Sequence, residues 1–295
     1  DELISRVRVL GHPLCVGLDP YLDRIPPPFR RGSMTIGDPR TADAVADFLG
    51  AVIDRVSGKV AVIKPQIALF EQLGWRGMKM LEGILDRARK QHLLVLLDAK
   101  RGDIGATAEG YAQAYLDPSS SMSVDAMTVN PYMGRDAIEP FVRRAAQDRR
   151  GVFVLVRNSN PGSSDYQCLE TGKGLLFEVV AHSLHEIEER LVAPQTEWSS
   201  LGITVAATYP DDSDRIRAIL PRTLFLVLGY GAQGGTAKEA VRGFVPGPNG
   251  MEGGLVNASR AVLFPADGMT DNVAQWEIAF DLAVEQTIGA LRQVV

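Results

Sequence analysis

The chain has 295 residues, of which 45% are hydrophobic and 23% are charged, a composition typical of a globular protein with a full core. Its net charge of -5 argues against a nucleic-acid or membrane partner, because no block of basic residues offsets the acidic balance. No apolar run approaches the roughly 18 residues that a membrane-spanning helix needs.

The two cysteines, Cys15 and Cys168, provide no disulfide framework and fit a reducing cytoplasm. Cys15 lies in an apolar run and is interpreted as a small buried hydrophobic residue. The first residues lack the basic and then apolar arrangement of a secretory signal, although a chain that starts without Met leaves a removed leader open. The sequence therefore favours a cytoplasmic location.

Short apolar runs typical of strands alternate along the chain with amphipathic runs typical of helices. This alternation predicts a parallel sheet built from βαβ units. The predicted strands are Leu14 to Asp19, Val60 to Lys64, Leu93 to Lys100, Ala126 to Asn130, Val152 to Asn158, Ile203 to Ala207, Leu224 to Gly229 and Leu255 to Leu263. The predicted helices are Thr41 to Val56, Gly77 to Lys90, Ala106 to Tyr115, Asp136 to Gln147, Gly174 to Leu191, Asp211 to Leu220 and Asn272 to Val295.

About eight strand-helix repeats in a chain of this length predict an α/β fold, a single (β/α)₈ TIM barrel spanning residues 1–295. A doubly wound open sheet is the alternative. Two insertions interrupt the repeats. Residues 21–40 contain three consecutive prolines and predict an irregular segment after strand one. Residues 242–254 are rich in Gly and Pro and predict a mobile loop before strand eight, a region where barrels commonly bind phosphate.

The apolar run that starts at Leu93 leads directly into the charged residues Asp98, Lys100 and Asp103. Because strand side chains alternate between faces, Asp98 and Lys100 are predicted to project from the same side. Asp103 lies in the following turn and could approach from above or from another subunit. A single charged residue at a strand end also occurs wherever a chain reaches the surface, so the cluster carries more information than any one member.

Polar residues end nearly every predicted strand, and the carboxyl ends of the strands form the active-site face of a barrel. The glycine-rich residues 229–235 and the segment Asn257 to Arg260 predict a phosphate site, while the motifs of nucleotide triphosphate and dinucleotide sites are absent. The polar strand ends are Asp19, Lys64, Asp98 with Lys100, Asn130, Ser159 to Gly162, Gly231 to Gly235, and Ser259 with Arg260.

Lys64, Asp98, Lys100 and Asp103 are predicted to form an array of alternating charge in a water-poor cleft. Each carboxylate beside a cation stays ionised, and each ammonium beside a carboxylate stays protonated. Lys100 is therefore interpreted as a proton donor and not as an amine that forms a Schiff base. This favours chemistry in which a carbanion acquires a proton.

A metal or acyl-transfer site is disfavoured. His182, His185, Glu186 and Glu189 have helical spacing, but they are interpreted as the outer face of an amphipathic helix. No G-x-S-x-G elbow or Cys/His pair at a strand end indicates acyl transfer.

These residues resemble the orotidine 5'-phosphate decarboxylase family, specifically its longer bacterial subgroup. The core of the resemblance is the motif Asp98-x-Lys100-x-x-Asp103-Ile104, which related barrels share. The ordered set of other motifs is more specific, and it consists of Leu18-Asp19, Lys64, Ser159-Asn160-Pro161-Gly162, Gly231-Ala232-Gln233-Gly234-Gly235 and Ser259-Arg260.

The resemblance implies conversion of orotidine monophosphate to UMP and CO₂ in pyrimidine synthesis, without metal or cofactor, by a homodimer with shared active sites. It implies that Asp98 faces the substrate carboxylate and that Lys100 stabilises and protonates the C6 carbanion. The remaining implied roles are ribose binding by Lys64 and Asp19, contacts with the neighbouring subunit's site by Asp103, Ile104 and Thr107, substrate contacts by Ser159 (to the pyrimidine) and Pro161, and phosphate binding by Gln233 and Arg260.

Two other functions stay open. Hexulose-phosphate synthases and keto-gulonate-phosphate decarboxylases resemble the chain in the same strand-three motif, but they place a carboxylate on strand two to hold Mg²⁺, where this chain has Lys64. A non-catalytic phosphate-binding barrel is also possible, because a fold does not fix a function. It would not explain why both acids and both lysines are present.

Overall fold

The computed structural model describes residues 1–295, and eight parallel strands close into a barrel. The strands follow one another round the barrel in chain order, and the last pairs with the first. The predicted (β/α)₈ barrel is confirmed, and the open sheet is excluded. The strands are β1 (Leu14–Leu18), β2 (Val62–Pro65), β3 (Leu94–Arg101), β4 (Ala126–Val129), β5 (Gly151–Leu155), β6 (Leu201–Ala206), β7 (Leu224–Leu228) and β8 (Gly254–Ala258).

Helices surround the barrel, and none is long and apolar enough to cross a bilayer. The α-helices are Glu2–Leu10, Thr41–Val56, Ala68–Glu71, Gly74–Lys90, Gly105–Leu116, Arg135–Asp148, Ser164–Gln167, Leu176–Ser183, His185–Arg190, Pro210–Ile219, Ala237–Ala240, Arg260–Leu263 and Val273–Arg292. Short 3₁₀ turns occur at Leu22–Arg24, Pro27–Phe29, Pro161–Ser163 and Ala266–Gly268.

The strands are covered on both faces, which explains their apolar sequences. Every residue of β1 and of β6 is buried. The helix Thr41–Val56 buries Val45, Phe48, Val52 and Val56 on one face, at the spacing of three or four residues that a helix requires. Burial of each large side chain of this kind contributes about 1.5–3 kcal/mol. The polar ends of the strands therefore extend from a closely packed barrel.

Two predicted elements had wrong boundaries, and one helix was not predicted. The strand expected from Leu255 to Leu263 ends at Ala258, and a separate short helix follows, because the apolar residues that resume after Ser259 and Arg260 belong to that helix. The single helix expected from Gly174 to Leu191 is the short strand Gly174–Leu175, which pairs with Glu170–Thr171, followed by two helices. The amino-terminal helix Glu2–Leu10 was missed.

Residues 242–254, where a mobile loop was predicted, contain an antiparallel hairpin of Val245–Gly247 and Gly250–Glu252. Because the segment enters β8 at its amino-terminal end, it lies on the opposite side of the barrel from the strand ends that carry the charges. Glu252 joins it to the first helix through Arg8, with both nitrogen–oxygen distances at 2.7 Å, and accepts a hydrogen bond from Trp198 Nε1 at 2.9 Å. The segment therefore lies away from Gln233 and Arg260, where the phosphate site is predicted.

Candidate active site

A cleft of about 210 Å³ lies at the carboxyl-terminal ends of the barrel strands. It brings together seven of the predicted site residues, which come from six different strands or the loops after them. These are Asp19, Lys64, Asp98, Lys100, Ser159, Gln233 and Arg260. Polar groups dominate the lining, as the recurrence of polar strand ends predicted.

Asp98 lies at the centre of the cleft's hydrogen bonds. Its Oδ1 accepts from Lys100 Nζ at 2.5 Å and from Thr128 Oγ1 at 3.0 Å. Its Oδ2 accepts from Lys64 Nζ at 2.9 Å and from Gln66 Nε2 at 3.0 Å. Four donors thus fill the acceptor positions of one carboxylate, which fixes the orientation of this group.

Both buried members of this array are held in their charged forms. Burial opposes ionisation of Asp98, but the ammonium groups of Lys64 and Lys100 outweigh it and hold the pKa of the carboxyl well below its usual range. Burial likewise opposes the charge of Lys64, but Asp98 and Asp19 outweigh it and raise the pKa of this ammonium above its usual value. The predicted alternation of charge is therefore present for these groups.

The two lysines differ in their access to the cleft. The side chain of Lys64 is 3% exposed, whereas that of Lys100 is 37% exposed. In a single chain, Lys100 is therefore the part of this array that solvent reaches. Lys64 is a largely buried counter-charge at the wall of the cleft, and Lys100 is the more accessible of the two ammonium groups.

The glycine-rich loop after β7 forms a tight turn at the cleft's edge. Gly231 N donates to Gly235 O at 2.8 Å, and Gly234 N donates to Gly231 O at 2.8 Å. Gly231 has a φ of 68°, in the left-handed region that favours glycine. Arg260 donates to Ala232 O at 3.4 Å, so its guanidinium lies beside this turn as predicted.

Four predicted site residues do not line the cleft of their own chain. Asp103 and Ile104 follow β3, and Asp103 Oδ1 accepts from the Ile104 amide at 2.8 Å. Thr107 is exposed on the next helix, and Pro161 is exposed at the start of a 3₁₀ turn. Asp103 therefore does not join the charged array within one chain.

The sequence analysis missed Gln66, which lines the cleft, and Thr128, which does not line it but bonds Asp98. Asn257, which belongs to the predicted phosphate segment, lines the cleft as well. Asn257 Oδ1 and Asp19 Oδ1 are buried without a hydrogen-bond partner. Because buried polar atoms normally have partners, these two acceptors are suited to hydroxyl groups of a ligand.

The histidines expected on an outer helix face are there. His182, His185, Glu186 and Glu189 are all exposed, which confirms that interpretation. The buried carboxylate on the same face belongs to Glu188, whose Oε1 accepts from Thr223 Oγ1 at 2.7 Å.

The fold and the cleft define a (β/α)₈ barrel with a lysine–aspartate array at the enzymatic face of that fold. Residues 12–269 match the model of the orotidine 5'-phosphate decarboxylase / HUMPS family. The chain belongs to this family, which confirms the resemblance seen in its motifs.

Relatives from distant organisms extend the match over most of the chain. Orotidine 5'-phosphate decarboxylase of Rhodopirellula baltica is 40% identical, covering 89% of this chain and 87% of the relative. The protein of the same name from Haloarcula marismortui is 38% identical, covering 99% and 96%. The structure of OMP decarboxylase from Leishmania donovani superposes with a TM-score of 0.76 at 29% identity, covering 100% of this chain and 99% of that one. These similarities place the chain among carbon–carbon lyases.

Proposed function

We propose that the protein is an orotidine 5'-phosphate decarboxylase that converts orotidine monophosphate to UMP and CO₂ in de novo pyrimidine synthesis. The observation that carries the proposal is the Asp98 carboxylate held between Lys64 and Lys100 at the mouth of the barrel. Relatives at 34% to 40% identity are orotidine 5'-phosphate decarboxylases by name, which supports the same activity.

Lys100 is proposed to stabilise and protonate the reacting carbon. The bond between C6 and the carboxylate breaks, CO₂ leaves, and the electron pair stays on C6. The proton then passes from Lys100 Nζ to C6, which leaves a neutral amine to be reprotonated. Lys100 is suited to this role because its ammonium is the more exposed of the two lysines.

Two effects could lower the barrier, and the geometry favours one of them. Repulsion between Asp98 and the substrate carboxylate would destabilise the ground state, a contested mechanism. The four donors around Asp98 already offset much of its charge. The attraction of Lys100 for negative charge that develops only in the transition state is differential binding, and we assign it the larger share.

The rest of the cleft is proposed to bind the nucleotide. Contacts far from C6 can supply the energy that holds the reacting groups in place. The proposed contacts are Asp19 and Lys64 to the ribose hydroxyls, Ser159 and Pro161 to the pyrimidine end, and Gln233 and Arg260 to the phosphate.

We further propose a homodimer in which Asp103, Ile104 and Thr107 reach the partner's cleft. An exposed apolar patch at the adjacent loops after β3 and β4 supports this assembly, since Ile104 is 59% exposed and Tyr132 is 85% exposed. The two loops are in contact, because Asn130 N donates to Arg101 O at 2.8 Å.

A cytoplasmic location is proposed from the cysteines. Cys15 and Cys168 are both unpaired. Burial raises the pKa of the Cys15 thiol to about 12, so it stays neutral and unreactive. Unpaired cysteines are the usual state in a reducing compartment.

The decrease in orotidine monophosphate absorbance on adding the enzyme tests the activity, with and without exhaustive EDTA treatment. We expect turnover to be the same in both samples. The opposing candidate is a metal-dependent hexulose-phosphate synthase, and loss of turnover that Mg²⁺ restores would favour that chemistry. We expect Lys64 to disfavour Mg²⁺ there, because its ammonium is 2.9 Å from the Asp98 carboxylate.

A further inference from the structure

The pairing of β3 with β4 is irregular at the charged residues. Leu97 pairs with Met127 and Arg101 pairs with Val129, so three residues of β3 lie opposite Thr128 alone. Lys100, the last of the three, has a φ of 47°, in the left-handed region that non-glycine residues seldom occupy. At this β-bulge, the Lys100 ammonium lies 2.5 Å from the Asp98 carboxylate. A bulge redirects side chains, so the regular alternation of a strand does not by itself determine this distance.

The hydroxyl oxygen of Thr128 accepts hydrogen bonds from two backbone amides of the bulge in β3. Thr128 Oγ1 accepts from Ala99 N at 3.0 Å and from Lys100 N at 2.8 Å. Since both lone pairs are occupied, its single hydrogen points at Asp98 Oδ1, 3.0 Å away. Thr128 is fully buried, so no water competes for these bonds.

We propose that Thr128 is a positioning residue for the decarboxylation, and this inference rests on the proposed function. One oxygen fixes the backbone of Lys100 and the carboxylate of Asp98 together, which sets the position of the Lys100 ammonium relative to the substrate. Thr128 does not line the cleft and so touches no substrate. Its loss should therefore disturb the chemical step more than binding.

The test compares Thr128→Val with Thr128→Ser. The Val variant keeps the shape but lacks the oxygen, and we expect kcat to fall by about 10- to 100-fold with KM changed less than about threefold. The Ser variant keeps the oxygen and should have kcat within about threefold of wild type. Thr128→Ala is a second hydroxyl-free variant in case Val does not fold.

Thr223→Val is the matched control. Thr223 is also a fully buried threonine whose hydroxyl bonds a buried carboxylate, that of Glu188 at 2.7 Å, but it lies at the amino-terminal end of β7. We expect this variant to lower the melting temperature without changing kcat.

Each outcome separates the two proposals. Wild-type enzyme that does not decarboxylate orotidine monophosphate would refute the proposed function and this inference with it. Active wild type together with an unchanged kcat in Thr128→Val, or an equal loss in Thr128→Ser, would overturn only the positioning role. Failure of both hydroxyl-free variants to fold would make Thr128 a structural residue and overturn it as well.

Discussion

Lys64 and Lys100 carry the same charge and contact the same carboxylate, yet they differ in burial and therefore in proposed role. Lys64 is surrounded by protein and neutralises Asp98, so its removal would leave a buried charge without its partner, at a cost of about 3–5 kcal/mol. Lys100 is partly exposed, and its removal leaves Asp98 still paired with Lys64. The chemistry can therefore be tested at Lys100 without unfolding the protein.

We predict that Lys100→Ala folds and loses at least about a thousandfold in kcat, because it removes both the charge that stabilises the carbanion and the proton donor. Steady-state assays with orotidine monophosphate measure the loss, and circular dichroism checks the fold. Lys90→Ala is the control, since Lys90 is exposed and pairs only with Asp86, at 2.7 Å. Near-normal turnover in Lys100→Ala would refute the mechanism.

The sequence predicted the charged residues of the site better than the residues that hold them in position. Asp98 and Lys100 follow an apolar run abruptly, and that contrast is visible in the sequence. Thr128 is a neutral β-branched residue in β4, and its hydroxyl matters only because the bulge in the neighbouring strand orients two amides towards it. A local sequence pattern does not reveal how two strands pair, so the role of Thr128 could not be predicted.

At the scale of elements, the alternation of apolar runs predicted eight strands because each repeats the same βαβ pattern. The predicted end of β8 was wrong because apolar residues resume directly after the polar pair Ser259 and Arg260, and those residues form the helix Arg260–Leu263 and not more strand. The hairpin of residues 245–252 was not predicted, for another reason. Gly and Pro predict turns in either a loop or a hairpin, and the tertiary contact of Glu252 with Arg8 decides between them.

We predict that Glu252→Gln destabilises this end of the barrel without changing kcat. Its carboxylate is buried between Arg8 and Trp198, so we expect the free energy of unfolding to fall by about 1–3 kcal/mol in urea titrations. Glu189→Gln is the control, because that carboxylate is half-exposed and 3.8 Å from Arg222.

The same variant has a defined pH dependence. The hydrogen bond from Arg8 lowers the pKa of Glu252 below its ordinary value of 4.5, so its contribution is complete above that pH and is lost as the pH falls through the folded-state pKa. The difference in unfolding free energy between wild type and Glu252→Gln should therefore shrink below pH 4.5. A difference that stays constant into acid would show that the ion pair does not stabilise the hairpin.

For the whole molecule, the cleft of one chain lacks part of the predicted site. Asp103, Ile104 and Thr107 lie outside it, next to an exposed apolar patch. A two-fold dimer that buries this patch would bring the same residues of each subunit to the other's cleft. The site would then be complete only in the assembly.

This arrangement predicts complementation between two inactive variants, Lys100→Ala and Asp103→Ala. In a mixed dimer, the subunit with intact Lys100 receives intact Asp103 from its partner. One of the dimer's two sites is therefore complete. Random exchange makes about half of the dimers mixed, and about one quarter of wild-type activity should return. The control is each variant exchanged with itself, and native mass spectrometry verifies the mixed species. If Asp103 served its own chain, every site in the mixed dimer would lack one residue, so verified exchange without recovered activity would refute a shared site.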